Sequence, residues 1–121
     1  MSKIRRRAHR RGQLAEILCL WHLRFKGYRI LARRYRVPAG EIDLIVRRGR
    51  VLAAVEVKAR ADWDSAAAAI LGRQRRRISR ALEQFRRSRP ELALLDPRFD
   101  VMLVVPRRLP RHLTDAWRVD R

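Results

Sequence analysis

Residues 40–58 read GEIDLIVRRGRVLAAVEVK, from Gly40 to Lys58. Two runs of branched apolar residues flank Arg47-Arg48-Gly49-Arg50, which predicts strands over 41–46 and 51–58 around a tight turn. Yet Glu41, Asp43 and Glu56 stand where a buried strand would place another Val, and Lys58 closes the second run. Alternate residues of a strand share a face. If Arg48-Gly49 is a two-residue turn, Arg47 pairs with Arg50, Glu41 with Glu56 and Asp43 with Ala54. All four polar groups then face one side, with Asp43 and Glu56 as diagonal neighbours whose Cβ atoms lie about 7–8 Å apart. A turn one residue longer would put the two sets on opposite faces.

Like charges on an apolar scaffold are costly: at 4 Å two of them repel by roughly 4 kcal/mol at an effective dielectric near 20. A divalent cation removes that penalty. Mg²⁺ (or Mn²⁺) takes one or two carboxylates and keeps positions for water and phosphate oxygens, so Asp43 and Glu56 are the expected metal ligands. Lys58 would stand beside the ion and stabilise charge building on phosphorus. The plainer alternative pairs Glu41 and Glu56 with Arg33, Arg34 or Arg36 on the preceding strand. The choice of Lys at 58 in an arginine-rich chain favours the metal, because Arg serves an ordinary ion pair better.

The rest of the chain supplies layers for these strands. Leu14, Ile17, Leu18, Trp21 and Phe25 recur at spacings of three and four, predicting a helix over about 11–26 that Gly27 stops; Leu20 and Leu23 extend its apolar surface onto the far side, so cover on more than one face is expected. Residues 28–37 read as a first strand. Ser65 is placed to cap a long helix to about Arg87 with Leu71, Ile78, Leu82 and Phe85 inward, weakened at Gly72. Residues 90–97 connect, 99–105 form an apolar strand, and 113–119 read as either strand or helix. The order gives an α/β fold: helices packed on a mixed sheet in one domain spanning residues 1–121.

The 121 residues carry 31 Lys and Arg against 12 Asp and Glu, a formal net charge of +19. Such a chain attracts polyanions. Residues 1–10 read as a basic N-terminal arm, with Arg5, Arg6, Arg7, Arg10 and Arg11 offered to phosphates. On the second long helix Arg73, Arg76, Arg77 and Arg80 lie away from the apolar stripe and read as a second phosphate-contacting set; a merely solvated face is the alternative. No apolar run approaches the ~20 residues of a spanning helix, and no signal peptide follows the basic start, so a soluble, cytoplasmic protein is expected, with no membrane partner. The one cysteine, Cys19, sits among apolar residues and reads as a buried thiol.

Asp43, followed thirteen residues on by Glu56-x-Lys58, resembles the restriction-endonuclease-like, or PD-(D/E)xK, superfamily of Mg²⁺-dependent nucleases. The fuller string GQLAEILCLWHLRFKGYRILARRYRVPAGEIDLIVRRGRVLAAVEVKAR, with RFDVMLVV later, is similar to the small bacterial YraN family, itself similar to archaeal Holliday-junction resolvases. The resemblance covers about Gly12 to Trp117. It implies a three-layer sandwich with helices on both faces of the sheet, metal on Asp43 and Glu56, and Lys58 as catalytic. It adds Glu16 from the first helix and Gln74 from the helix after the motif. Two departures stand out: Arg73 where relatives usually carry Lys, and Ile42 where the named motif has Pro.

The implied function is a divalent-metal-dependent endonuclease acting on DNA, branched or structured DNA in particular. RNA is the other polyanion admitted, and a homodimer follows by analogy with two-site resolvases. The alternative class is a nucleic-acid-binding module on the same fold without turnover; binding to an anionic membrane ranks below both. His9, His22 and His112 lack metal-ligand spacing and read as solvent or core histidines. Asp100, beside Arg98, reads as half of a structural ion pair.

Overall fold

The structure is a computed structural model that describes the backbone of residues 3–67, 69 and 72–118, with the side chains of 3–11 and Arg73 excepted. Helix α1 (Lys3–Phe25) is followed by strands β1 (Arg29–Val37), β2 (Gly40–Arg48) and β3 (Val51–Ala59). Two helices, α2 (Trp63–Ala67) and α3 (Gly72–Arg87), and a 3₁₀ turn over Pro90–Leu92 lead to β4 (Asp96–Val104) and β5 (Arg111–Trp117). The sheet order is β1-β2-β3-β4-β5. Only β3 and β4 run parallel, as expected where helices supply the crossover. No helix among the described residues is long and apolar enough to cross a membrane.

Strand alternation divides the core in two. Leu52 and Ala54 of β3 join Ile78, Leu82 and Phe85 of α3 on one face of the sheet. Ala53 and Val55 join Cys19 and Leu23 of α1 on the other. The sheet is therefore buried on both faces, which is why β3 reads as a continuous apolar run.

Four expectations change. The hairpin turn is Gly49-Arg50, with Arg48 opposite Val51, because Gly49 at φ +59 supplies the positive φ of the first central position. The loop is still two residues, so the parity holds while the register moves: Leu44 faces Val55. The long helix is two helices, and the cap is Asp62, whose Oδ1 accepts the Ser65 N–H at 2.8 Å; Leu71 lies outside the described residues. Helix α1 begins at Lys3, so residues 3–10, expected as an arm, continue its backbone. The ambiguous tail is strand β5, held by Trp117 stacked on Phe99.

The face of α1 is the largest correction. Leu14 and Phe25 are 66% and 89% exposed, and Ile17, Leu18 and Trp21 are exposed as well. The buried face runs instead through Ala15, Cys19 and Leu23, with Glu16 and Leu20 beside them. Both stripes satisfy helical periodicity; small residues at 15 and 19 let the helix approach β3, and the larger side chains are left outside. Cys19 is fully buried, and burial pushes its thiol up to about 12, so it is inert packing.

Gly40 opens β2 under α3. A Cβ there would stand 2.6 Å from the carbonyl oxygen of Arg77, so α3 could not keep its seat. Gly40→Ala is expected to cost about 1–3 kcal/mol, read as a melting temperature lowered by roughly 3–10 °C. Gly12→Ala, with nothing within 4 Å of the new methyl, is the control that should melt no lower than the parent.

Candidate metal and nucleic-acid site

Strands β2 and β3 continue past their last recorded pair, Leu44 opposite Val55, toward Gly40 and Ala59. Asp43 and Glu56 are the next residues along, and their side chains bridge the opening. Asp43 Oδ2 accepts the main-chain N–H of Val57 at 2.8 Å. Glu56 Oε1 accepts the main-chain N–H of Asp43 at 3.4 Å. The carboxylates are thus facing neighbours, closer than the expected diagonal.

Helix α3 reaches the site through Gln74, whose Nε2 donates to Glu56 Oε2 at 3.2 Å. Lys58 Nζ lies 4.0 Å from the same oxygen, on a side chain only 15% exposed. Helix α1 brings Glu16 to a cavity of about 280 Å³ shared with Asp43, Val57 and Arg60. Glu16 does not pair freely with the site: Arg34 holds its Oε2 at 3.1 Å. Arg34 adopts φ +49 opposite Asp43 in the β1–β2 register, an uncommon backbone for a non-glycine residue. Sequence reasoning missed Arg60, which follows the strand that carries Glu56 and Lys58 and was legible from its place; it weighed Arg34 as a partner of Glu41 or Glu56, and the structure gives it to Glu16 instead.

The arginine-pairing alternative, raised for Glu41 and Glu56, holds for Glu41, bound to Arg36 at 3.1 Å. It does not hold for Glu56, which, like Asp43, has no arginine partner among the described residues; Glu16, expected either at the site or as a surface helix acid, is the acid that Arg34 takes. Glu56 is 3% exposed. Burial first, and the neighbouring Asp43 carboxylate second, push its pKa up to about 8, with Lys58 pulling the other way. Burial also raises Asp43, partly offset by the Val57 N–H and further raised by Glu16. Two carboxylates held together against their charge, with a lysine but no arginine, fit a divalent cation that keeps open positions. No group of three or more His, Cys, Asp or Glu is placed to hold a metal ion among the described residues.

Of the predicted phosphate contacts, Arg76, Arg77 and Arg80 are exposed on α3, the helix that also carries Gln74. The side chains of Arg5, Arg6, Arg7, Arg10, Arg11 and Arg73 lie outside the described residues.

A second polar cluster lies on fully buried Asp100. Its carboxylate takes both guanidinium contacts of Arg98 at 2.8 Å, His112 Nε2 at 2.8 Å and the main-chain N–H of Asp115 at 3.0 Å. Lys26 Nζ stands 2.7 Å from His112 Nδ1, which fits the tautomer protonated on Nε2. The Arg98 pair was legible in the sequence; His112 and Asp115, on a strand that read ambiguously, were not.

A match to the uncharacterised protein family UPF0102 spans residues 15–104, from α1 through β4. The chain belongs to this family. A UPF0102 protein of Parvibaculum lavamentivorans is 60% identical over 92% of the chain and 84% of the relative. UPF0102 protein amb4503 of Paramagnetospirillum magneticum is 50% identical over 98% and 95%. A UPF0102 protein of Methylorubrum extorquens is 53% identical over 96% and 91%. The family match bears out the YraN-like resemblance of the motif string, and it includes Glu16, Asp43, Glu56, Lys58 and Gln74.

Proposed function

We propose that this UPF0102 protein is a divalent-metal-dependent endonuclease of the restriction-endonuclease-like superfamily, acting on DNA. One observation carries the reading: buried Glu56 and half-buried Asp43, in contact, lack an arginine partner among the described residues of an arginine-rich chain. Mg²⁺ or Mn²⁺ held by this pair would polarise a phosphodiester and lower the pKa of a bound water. The chain's own residues prepare that event. The Val57 N–H fixes Asp43 Oδ2, and Gln74 fixes Glu56 Oε2, so neither carboxylate must reorganise. The Lys58 ammonium stands beside Glu56, where it can stabilise charge on a phosphoryl oxygen. Exposed arginines of α3 and the net charge of +19 supply sequence-independent affinity for the backbone. The second reading, nucleic-acid binding without turnover, shares all of this except the use of the carboxylate pair.

Metal titration against pH tests the pair directly. Both folded pKa values lie above their unfolded values; the contribution of Glu56 to stability is full below about 4.5 and is lost as pH rises toward about 8, and that of Asp43 falls in the same direction. A cation binds the ionised pair and restores what is lost. Millimolar Mg²⁺ or Mn²⁺ should therefore leave the melting temperature unchanged at pH 5 and raise it by several degrees at pH 8. Glu56→Gln should remove the increment. An increment equal at both pH values, or retained in the variant, would show that the metal binds elsewhere.

A further inference from the structure

A cavity of about 410 Å³ adjoins the carboxylate site and shares Ala15, Ala59 and Arg60 with it. Its walls are Leu14 and Leu18 of α1 and Val105 and Pro106 after β4, with Arg107 and Arg108 beside them. No acidic residue lines it among the described residues. Its volume lies within the ~300–1,000 Å³ usual for small-molecule sites. The exposed Leu14 and Leu18 begin an apolar face of α1 that continues through Trp21 and Phe25. Nothing in hydrolysis at Asp43 and Glu56 explains an apolar hollow one step away.

We infer that this hollow receives an unstacked base of the strand whose phosphodiester lies at the Asp43–Glu56 site, so that the substrate is single-stranded or locally unpaired nucleic acid. The inference rests on the reading of that site as one that meets a phosphodiester. Continuity is the first argument: Arg60 borders both cavities, so a strand at Asp43 that runs past it reaches the hollow. Charge is the second. Arg60, Arg107 and Arg108 can meet phosphates, while the apolar walls match a base face, the combination used to hold single strands. In a duplex the bases stay stacked and only sugar and phosphate would meet Leu14 and Leu18. Unstacking is least costly where pairing is already absent. A second copy of the chain is the competing occupant, disfavoured because two chains of net charge +19 would meet through a face that carries Arg24 over Trp21 and is bordered by Arg107 and Arg108.

The test uses the full chain carrying Glu56→Gln, so that binding is read without hydrolysis. The probe is an oligonucleotide with 2-aminopurine in a single-stranded segment, against the same strand in a duplex, at one salt concentration. Emission should rise several-fold on binding the single strand and stay flat for the duplex. Adding Leu18→Glu should abolish the rise and weaken single-strand binding about tenfold or more, with duplex affinity changed by roughly twofold at most. Leu14→Glu, on a more exposed side chain, should repeat the result and guards against misfolding of the first variant. Flat emission on a bound single strand, or equal loss for both substrates, would overturn the inference. So would a sedimenting dimer that Leu18→Glu converts to monomer. If the probe behaves as expected while the parent chain cleaves nothing with Mg²⁺ or Mn²⁺, the enzyme reading falls and the base-binding hollow stands.

Discussion

Glu56→Gln is expected to lower Mg²⁺-dependent cleavage of DNA by roughly three orders of magnitude, about 4 kcal/mol of transition-state stabilisation. The substitution keeps the volume of the side chain and its place beneath Gln74, and removes one of the two charged ligands proposed for the metal. Because ionised Glu56 is a burden on the fold without metal, the same variant should melt no lower than the parent in EDTA at pH 8. The pairing of lost activity with kept stability separates a ligand from a structural acid. Gln74→Ala should lose less, about 10- to 100-fold, since it orients Glu56 without touching the metal. Cleavage of linear, flapped and four-way DNAs by parent and variant measures this. Undiminished cleavage by the Glu56→Gln protein would assign the activity to another site or another protein.

The largest effect on stability is expected at Asp100. Asp100→Ala would leave Arg98, His112 and the Asp115 N–H without their common acceptor, in a place water does not reach. Removing one partner of a buried charged network costs about 3–5 kcal/mol, or a melting temperature lower by on the order of 10–20 °C. Burial alone would raise the Asp100 pKa, but hydrogen bonds from His112 and Arg98 outweigh it, and the folded value lies below the unfolded one. The sign is opposite to that at Glu56. Asp100 contributes its stability above the unfolded pKa and loses it as pH falls, so the gap between parent and variant should narrow in acid. Thermal melts of both proteins between pH 3 and 7, the window about the ordinary Asp value, test this; a constant gap would locate the cost in packing rather than charge.

The candidate site was legible because its parts lie in one hairpin. Alternation fixes which residues share a face whatever the turn's exact place, provided the loop keeps two residues. Moving the turn from Arg48-Gly49 to Gly49-Arg50 therefore changed Asp43 and Glu56 from diagonal to facing neighbours without separating them. Gln74 and Glu16 came from the resemblance, and the structure brings both toward the hairpin. It also ties Glu16 to Arg34, a residue of β1 with φ +49, a pairing between elements that strand periodicity does not encode.

Helix α1 shows where pattern stops. Its sequence holds two apolar stripes, and hydrophobic weight favours Leu14, Ile17, Leu18, Trp21 and Phe25. Depth of approach decided otherwise, because a helix lying close on β3 needs Ala15 and Cys19 at the contact. Composition and a period of two suffice to give the charge and the strand parity that joins Asp43, Glu56 and Lys58. Only the tertiary structure decided which face of α1 is buried, that β2 and β3 part at the carboxylates, and that Asp100 gathers Arg98, His112 and Asp115. Each of these depends on how closely elements distant in sequence approach, and no local period encodes that distance.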